Sequence, residues 1–267
     1  YQKQINEANL RLLGSLGQIV PFHFSSLKNT KILSLLNDVN ICINLKTSWD
    51  SKKSILTESI FNFNSDLIKM IKLSTSIEKF IFFSGLGSEN RSTFRNEIIS
   101  KTENIILNEL DNSFVIRPSV ILGNRDQFLS NLMPLFKMSF FIPLFGNGNP
   151  KFQPVHIGDI ERFIYKLILT SNCSEKLFEL AGPDVFTYKK FYSQISKILC
   201  KKRVLVPIPM KIVKLVVKIA EKTPFSPINS EQLALFETDN ILNNKFPGFD
   251  YFNIVPKKTI SAIKKSL

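Results

Sequence analysis

Cysteine and long apolar runs are scarce in this sequence, and their scarcity argues against two classes of protein. Only three cysteines occur in 267 residues, and Cys42, Cys173 and Cys200 lie far apart. An odd number at such spacing predicts free thiols in a reducing compartment, and neither a disulfide framework nor a metal site. No apolar run approaches the roughly 18 residues that a membrane-spanning helix needs. The first residues also lack the pattern of a signal peptide or a basic transit sequence.

Charge of one sign is in excess, because the net charge is +13 and the pI is near 9.6. The lysines are spread along the chain without a run of five or more, and no zinc-ligand spacing or aromatic–basic pattern accompanies them. We therefore expect no nucleic-acid partner. One predicted helix, Met210–Glu221, places Lys211, Lys214 and Lys218 beside Ile and Val residues. Such a helix either contacts a partner or an anionic membrane surface, or packs its apolar face into the core.

Apolar segments of two kinds alternate along the first part of the chain. Short runs rich in Val, Ile and Phe have the length of buried strands, and longer runs have apolar residues at helical spacing. The predicted strands are Gln18–Phe24, Val39–Leu45, Lys79–Ser84, Phe114–Ile116, Val120–Leu122 and Val204–Ile208. The predicted helices are Thr30–Leu36, Ser54–Ser74, Ser92–Leu110, Thr187–Leu199, Met210–Glu221 and Ser230–Phe236. This alternation predicts an α/β protein with a doubly wound parallel sheet.

The pattern changes after Asp159, which we interpret as a helix N-cap. The expected organisation is therefore a sheet domain over residues 1–160 and a smaller, mostly helical cap over residues 161–267. The stretch Phe114–Ile160 joins the two. It begins with a strand that Pro118 must end or leave at an edge, because proline donates no hydrogen bond to a sheet. Ligands of open α/β sheets bind outside the carboxyl ends of the strands, so this stretch is the predicted floor of a site.

Several motifs occur in a characteristic order. They are Phe80–Gly87 (FIFFSGLG), Arg117–Gly123 (RPSVILG), Phe152–Ile160 (FQPVHIGDI), Phe178–Pro183 (FELAGP) and Pro207–Pro209 (PIP). Together they resemble an atypical extended short-chain dehydrogenase/reductase. The resemblance is closer to the NAD(P)-binding accessory subunits of respiratory complex I, of the alpha-subcomplex subunit 9 type, and to their bacterial relatives. It implies a Rossmann-like fold and a nicotinamide dinucleotide, NADP or NAD, with NADPH favoured by the resemblance.

One part of the family pattern is missing from this sequence. Such proteins begin with a strand, a glycine-rich turn and a helix whose N-terminus holds the cofactor pyrophosphate. Gly14 and Gly17 do not form that turn, because no apolar strand precedes them. The resemblance therefore implies that the first βαβ unit is lacking and that Gln18–Phe24 corresponds to the third strand. We expect a fragment or an incomplete N-terminus.

The resemblance also implies which residues face the cofactor. Asn44 and Leu45 match the strand end that passes the adenosine and ribose, and Pro118 and Ser119 match the segment that backs the nicotinamide. The full matched set is Asn44, Leu45, Ser84, Gly85, Arg117, Pro118 and Ser119. Asn62, with Ser65, resembles an asparagine motif that supports the strand ends. His156 is expected to have a structural role.

Catalysis in this family requires a Ser or Thr, which Ser84 matches, and a Tyr-x-x-x-Lys pair on the next helix. Spacing of four places both side chains on one face, where the ammonium lowers the phenol pKa. Here Glu97 lies four residues before Lys101, and the alternative register gives Arg95 and Ile99. No tyrosine lies between Tyr1 and Tyr165. Conventional turnover is therefore not expected.

The resemblance then implies a nucleotide-holding accessory subunit of a larger respiratory assembly, with possible peripheral contact to anionic lipid. It would lie at the matrix face of the mitochondrial inner membrane or the cytoplasmic face of a bacterial inner membrane. Two alternatives remain open. One is an active NAD(P)-dependent reductase, epimerase or quinone-related enzyme that uses Lys101, Glu97 or a water as its acid. The other is a sensor that reports nucleotide state.

Overall fold

The structure, a computed structural model, describes residues 9–15, 17–24, 26–27, 30–124, 126–223 and 228–266. Its strands are β1 Ile41–Asn44, β2 Lys79–Phe83, β3 Ser113–Pro118, β4 Ile121–Leu122, β5 Phe141–Phe145, β6 Lys151–Phe152, β7 Val155–His156, β8 Leu177–Leu180, β9 Phe186–Thr187 and β10 Val204–Ile208. Its α-helices are α1 Thr30–Asn37, α2 Lys53–Leu56, α3 Phe63–Leu73, α4 Phe94–Glu109, α5 Gln127–Met138, α6 Ile157–Leu169, α7 Tyr188–Ile198, α8 Met210–Ala220, α9 Ser230–Leu233 and α10 Thr259–Ser266. A π-helix, Thr57–Asn62, joins α2 to α3, and 3₁₀ helices span Ser88–Asn90, Ala234–Phe236 and Phe249–Phe252.

The main sheet has four parallel strands in the order β1, β2, β3, β8. Because side chains alternate along a strand, Phe80 and Phe82 of β2 face one side of the sheet and Ile81 faces the other. Helices α1, α3 and α4 pack against the first side. Helix α6 and the segment around Phe249 pack against the second. The predicted doubly wound parallel α/β sheet is confirmed.

The edge strand β1 is shorter and less buried than the sequence suggested. We expected Val39–Leu45 to be buried on both faces, but β1 spans four residues and Ile43 is 39% exposed. Among the described residues, the other edge of β1 has no strand partner. A strand at the edge of a sheet has a neighbour on one side only. Its side chains are therefore less completely covered than those of a central strand.

The predicted strand Gln18–Phe24 is wrong. The structure has no strand in residues 18–24, and Val20, Phe22 and Phe24 are 75%, 41% and 39% exposed. These apolar side chains find no sheet or helix to cover them, so apolar composition alone did not produce a strand there. The correspondence of this segment to a third sheet strand is likewise not observed.

The expected boundary at residue 160 cuts through the main sheet. Strand β8 lies beyond that boundary and pairs with β3. In the same way β5, from the first part, pairs in parallel with β10 from the second. A further core lies between α5, β5 and α7, around Phe136, Phe152 and Phe191. The two parts of the sequence are thus interleaved in space, and the later part contributes strands as well as helices.

Two local predictions in the stretch Phe114–Ile160 have different outcomes. Pro118 is the last residue of β3, as expected of a residue that cannot continue a ladder. The N-cap of α6, however, is His156, whose Nδ1 accepts from the Gly158 backbone N–H at 3.0 Å. Asp159 lies inside α6 and is buried, with its carboxylate bound by Arg162 and by the Lys257 backbone N–H. The interpretation of Asp159 as the cap was therefore wrong, while the structural role expected of His156 is confirmed.

None of the helices in the described part of the chain has the length and apolar character needed to cross a membrane.

Candidate functional site

The carboxyl edge of the main sheet brings most of the predicted cofactor residues together. Asn44 ends β1, Ser84 and Gly85 follow β2, and Arg117 to Ser119 end β3. Since these strands are parallel, their carboxyl ends lie at one edge. Three backbone hydrogen bonds fix this edge, from Ser84 N to Ile116 O at 2.8 Å, from Leu86 N to Pro118 O at 2.9 Å and from Ser119 N to Leu180 O at 2.9 Å.

A buried pair of amides supports the end of β1. Asn44 Nδ2 donates to Asn64 Oδ1 at 2.7 Å, and Asn64 Nδ2 donates to the Ile60 carbonyl at 2.7 Å. Asn44 Oδ1 accepts from the Lys46 backbone N–H, which turns the chain away from the strand. The sequence suggested Asn62 for this role, but Asn62 donates to Glu58 at the surface. The supporting residue is Asn64, which the π-helix rotates towards the sheet.

The next strand end is held by a buried carboxylate, Glu103 of α4. Its Oε1 accepts hydrogen bonds from the hydroxyls of Ser84 and Ser88, the latter at 2.9 Å. Arg117 donates two parallel hydrogen bonds to the same carboxylate, from Nε at 2.9 Å and from Nη2 at 2.7 Å. Such a bidentate pair fixes both side chains. The proton of the Ser84 hydroxyl is therefore committed to Glu103.

Arg117 also faces two further carboxylates. Its Nη1 lies 3.0 Å from Glu89 and 3.3 Å from Glu179. Burial opposes the charge of Arg117, but the hydrogen bond to Glu103 and the surrounding carboxylates raise its pKa overall. Burial, and then the charge of Glu89, raises the pKa of Glu179. Glu179 Oε2 has no hydrogen-bond partner among the described residues. Three carboxylates around one guanidinium carry more negative charge than Arg117 balances, in line with the raised pKa of Glu179.

Open space remains beside these groups. A Cβ placed on Gly85 would meet no atom within 4 Å among the described residues. Ser119 is buried, and its Oγ has no hydrogen-bond partner in the described part of the chain. Leu45, by contrast, is 65% exposed at the rim of the edge. The edge thus offers room at Gly85 and an unsatisfied hydroxyl at Ser119.

The acid–base candidates on α4 do not meet at this edge. Lys101 pairs with Glu97 at 2.7 Å on the exposed side of the helix, and this hydrogen bond lowers the pKa of Glu97. Residues two apart on a helix point in nearly opposite directions, so Lys101 faces away from Glu103 and Ser84. The geometry gives no support to a catalytic role for Lys101.

The alternative register, Arg95 with Ile99, does not form a proton-transfer pair either. Ile99 is buried in an apolar cluster with Leu56, Ile60 and Ile98. Arg95 is buried elsewhere on the helix and contacts Trp49. No tyrosine in the described residues hydrogen-bonds to Ser84 or Glu103. Burial raises the pKa of both Tyr188 and Tyr192, and the two lie in the separate core around Phe152.

The motif analysis placed Arg117 and Glu179 in two separate motifs and did not predict that they pair. Glu179 and Arg117 are 62 positions apart, so no local spacing links them. The available signal was the sequence Phe178-Glu179-Leu180, in which a carboxylate interrupts a strand of buried residues. A buried carboxylate requires a partner, and Arg117 at the end of the neighbouring strand was the available cation.

No family model matches the chain. Among proteins it resembles in sequence, NADH dehydrogenase [ubiquinone] 1 alpha subcomplex subunit 9, mitochondrial, from Arabidopsis thaliana is 28% identical over 94% of this chain and 65% of its own length. The protein of the same name from Dictyostelium discoideum is 30% identical over 70% of this chain and 52% of its own length. The chain therefore spans less than two thirds of these relatives.

Solved structures with the same fold include UDP-glucuronic acid 4-epimerase from Bacillus cereus, in complex with UDP-glucuronic acid and NAD. It has a TM-score of 0.74 and 14% identity, and the match covers 99% of this chain and 85% of that one. A human epimerase family protein with NADPH has a TM-score of 0.64 and 13% identity, with coverage of 85% and 81%. The resemblance inferred from the motifs is thus confirmed: in sequence the chain is related to the alpha-subcomplex subunit 9 proteins of complex I, and it has the Rossmann-like fold of the short-chain dehydrogenase type of epimerase.

Proposed function

We propose that this protein is a nucleotide-holding accessory subunit of a complex I assembly, an NADH:ubiquinone oxidoreductase, with no dehydrogenase turnover of its own. The observation that carries the proposal is the state of Ser84. In a dehydrogenase this hydroxyl orients the substrate while a tyrosine passes the proton. Here Ser84 donates to Glu103, which Ser88 and Arg117 also bind.

The commitment of its proton leaves Ser84 with lone pairs alone. While this hydrogen bond is in place, Ser84 can accept a hydrogen bond from a ligand but does not donate one to a carbonyl oxygen. In one register Arg95 and Ile99 take the places of the Tyr and Lys, in the other Glu97 and Lys101 do, and neither register provides a tyrosine to pass the proton. The edge therefore supports holding a ligand and not reducing one.

The ligand we propose is a nicotinamide dinucleotide. The related subunits carry NADH dehydrogenase in their names, and the two solved neighbours contain NAD or NADPH. The space at Gly85 and the unpaired hydroxyl of Ser119 fit a bound polar group. Asn44 and Gly85 would contact it and Ser119 would hydrogen-bond to it, while Arg117 and Glu103 would keep the strand ends in place. The preference for NADPH over NADH is proposed from the family resemblance.

Gly85 gives a direct test. Because a side chain at this position meets open space and no protein atom, Gly85→Leu should fold normally and obstruct the ligand. NADPH and NADH titrations should show dissociation constants raised at least about tenfold, with the thermal midpoint unchanged. Gly85→Ala, with a much smaller side chain, is the matched control. Steady turnover of the wild-type protein with carbonyl or quinone substrates would contradict the holding role.

We further propose that α8 contacts an anionic membrane surface or the surface of the assembly beside it, at the matrix face of a mitochondrial inner membrane or the cytoplasmic face of a bacterial one. The helix buries Val213 and Val217 against Leu233. Its other apolar residues, Ile212, Leu215, Val216 and Ile219, are 53%, 60%, 58% and 59% exposed. A helix with an exposed apolar face and flanking cations suits a membrane interface.

Under this proposal, two of the three lysines of α8 are available to contact lipid. Lys214 pairs with Glu237 at 2.6 Å, whereas Lys211 and Lys218 have no ion pair among the described residues. Flotation with vesicles of phosphatidylglycerol and phosphatidylcholine should recover the wild-type protein and not Lys211→Glu with Lys218→Glu. Lys189→Glu with Lys190→Glu, on the exposed side of α7, is the charge-matched control. Equal flotation of both double variants would refute the lipid contact.

A further inference from the structure

Arg95 is a buried cation whose guanidinium forms no ion pair within the described part of the chain. It lies in the first turn of α4 and is 6% exposed. Its Nε donates to the Ser48 carbonyl at 2.8 Å, and its Nη2 donates to Thr47 Oγ1 at 2.8 Å. No carboxylate of the described residues forms an ion pair with its guanidinium. Buried arginines are almost always paired with an anion, so this one calls for an explanation.

The third nitrogen of the guanidinium, Nη1, differs from the other two. Nη1 has no hydrogen-bond partner in the described part of the chain, and it is not among the polar atoms sealed from solvent. Burial lowers the pKa of Arg95 to about 10, although the charge of Glu231 opposes the shift. The group remains charged at neutral pH. A partly desolvated donor without a hydrogen-bond partner among the described residues is the feature that an incoming anion would satisfy.

The surroundings carry further positive charge. The Arg95 guanidinium stacks on Trp49, with 3.6 Å between its central carbon and the ring centroid. Lys46 and Lys53 lie over Phe63 and Phe94 in the same manner, and neither has an ion pair among the described residues.

The neighbouring carboxylates are Asp50, Glu58 beside Lys46, Glu97 beside Lys53, and Glu231 beside Arg95; Glu97 is paired with Lys101. Asp50 accepts the Lys52 backbone N–H and Glu58 accepts from Asn62, which leaves Glu231 as the one directed at Arg95.

Glu231 places a carboxylate of the protein itself at the N-terminus of α4. Its Oε2 accepts the backbone N–H of Arg95 at 3.1 Å, at the N-terminal end of a helix of 16 residues. Such an end attracts negative charge. The same segment is tied down by Asn229, whose Nδ2 donates to the Trp49 carbonyl. The C-terminal part of the chain thus lays a carboxylate beside the unpaired guanidinium without pairing with it.

We propose that Arg95, Thr47 and the N-terminus of α4 form a binding site for a phosphate group of a small ligand, with Glu231 as its internal competitor. A phosphate suits the site better than a carboxylate, because its double charge matches Arg95 and the two lysines and its tetrahedral oxygens reach several donors. Arg95, Thr47 and the N-terminus of α4 are not among the residues proposed above to hold the dinucleotide, so the site does not depend on that proposal.

Trp49 makes the site observable, because it is the only tryptophan in the chain and lies against Arg95. Intrinsic tryptophan fluorescence of the whole protein is followed while sodium pyrophosphate is added at constant ionic strength. We expect a saturable change, with little response to acetate or chloride. A change that is absent up to about 10 mM pyrophosphate, or equal with chloride, would overturn the proposal.

Two variants probe the assignment in opposite directions. Arg95→Gln should weaken pyrophosphate binding by about tenfold or more, since it removes a charge-assisted donor. Glu231→Gln should tighten binding several-fold, because it removes the competing charge while keeping the size of the side chain. Lys190→Gln, on α7, controls for net charge. If Arg95→Gln fails to fold, Glu231→Gln still decides: unchanged or weaker binding in that variant refutes the site.

A competition experiment distinguishes a phosphate of the dinucleotide from that of a second phosphate ester. Calorimetric titration of pyrophosphate is repeated in the presence of saturating NADPH. Lost pyrophosphate binding supports a phosphate of the dinucleotide at Arg95, and retained binding supports a second phosphate ester. In both cases the Arg95→Gln effect must persist in the protein without NADPH, and its absence there counts against the site.

Discussion

At the scale of single residues, the most consequential feature is the excess of carboxylates around Arg117. Glu103 and Arg117 form a paired, doubly hydrogen-bonded unit, which is the arrangement that makes a buried charge tolerable. Glu179 is the surplus member, with one oxygen unpaired among the described residues. A surplus buried acid does not ionise freely. The cluster therefore links the sheet edge to pH through Glu179 and leaves the Glu103–Arg117 pair intact.

Glu179 predicts a pH-dependent stability difference. Because its folded pKa lies above the ordinary value of 4.5, the stability it contributes is present below pH 4.5 and is lost as pH rises through the folded pKa. Glu179→Gln removes this loss and keeps an oxygen for Arg117. As pH rises from 4.5 to 7.5, the free energy of unfolding of the variant should increase relative to that of the wild type, so that the variant becomes the more stable of the two. Urea unfolding at several pH values measures the difference.

Glu97→Gln, at an exposed carboxyl on the solvent side of α4, is the matched control. It should not reproduce this upward trend, since Lys101 lowers the pKa of that group instead of raising it. A difference between Glu179→Gln and wild type that stays constant across the range would contradict the titration of Glu179.

At the scale of elements, the π-helix between α2 and α3 connects local geometry to the site. A π-turn shifts the register of the residues that follow it, and such insertions often occur at functional positions. Here the shift places Asn64 beside Asn44 at the end of β1. Asn62, at the end of the π-helix, is left facing solvent. The π-helix thus positions Asn64 of α3, whose side-chain amide holds the end of β1.

Asn64→Leu should destabilise the fold by about 1–3 kcal/mol, because the buried Asn44 Nδ2 loses its acceptor. The exposed variant Asn62→Leu should change the free energy of unfolding by no more than about 0.5 kcal/mol. Chemical denaturation of both variants, followed by far-ultraviolet circular dichroism, compares them. Equal effects at the two positions would show that the amide pair contributes nothing specific.

At the scale of the whole molecule, strands from the two ends of the chain complete each other. β3 pairs with β8, and β5 pairs with β10. A chain that stops at residue 160 lacks both partners, and it leaves Arg117 without Glu179. Such a fragment exposes the apolar faces of Phe114 and Ile116, which are buried in the complete fold. The sheet is therefore a product of the whole described chain.

This interleaving predicts how fragments behave. A chain ending at residue 160 should show no cooperative thermal transition, because β3 loses β8 and β5 loses β10. A chain ending at residue 258 keeps β8 and β10 and lacks only α10, so it should unfold cooperatively at a lower temperature. Circular dichroism during heating distinguishes them. Cooperative unfolding of the shorter chain would show that residues 1–160 form an independent domain.

The sequence determined the parts of this protein whose signals are local. Buried strands such as Lys79–Phe83 were predictable because their apolar runs are continuous, and α4 and α7 were predictable from helical spacing. The family motifs likewise located the sheet edge around Ser84 and Arg117. The missing Tyr–Lys pair was evident from residue counting alone.

Only the tertiary structure decided how distant residues meet. The exposed Gln18–Phe24 segment, the capping of α6 by His156 and the choice of Asn64 over Asn62 depend on contacts that sequence spacing does not encode. The same holds for Glu179, which reaches Arg117 across 62 positions, and for Arg95, whose burial without an ion pair among the described residues shows only in three dimensions. Local patterns follow from backbone geometry and side-chain shape, whereas the partner of a buried charge is set by which strands and helices the fold places side by side.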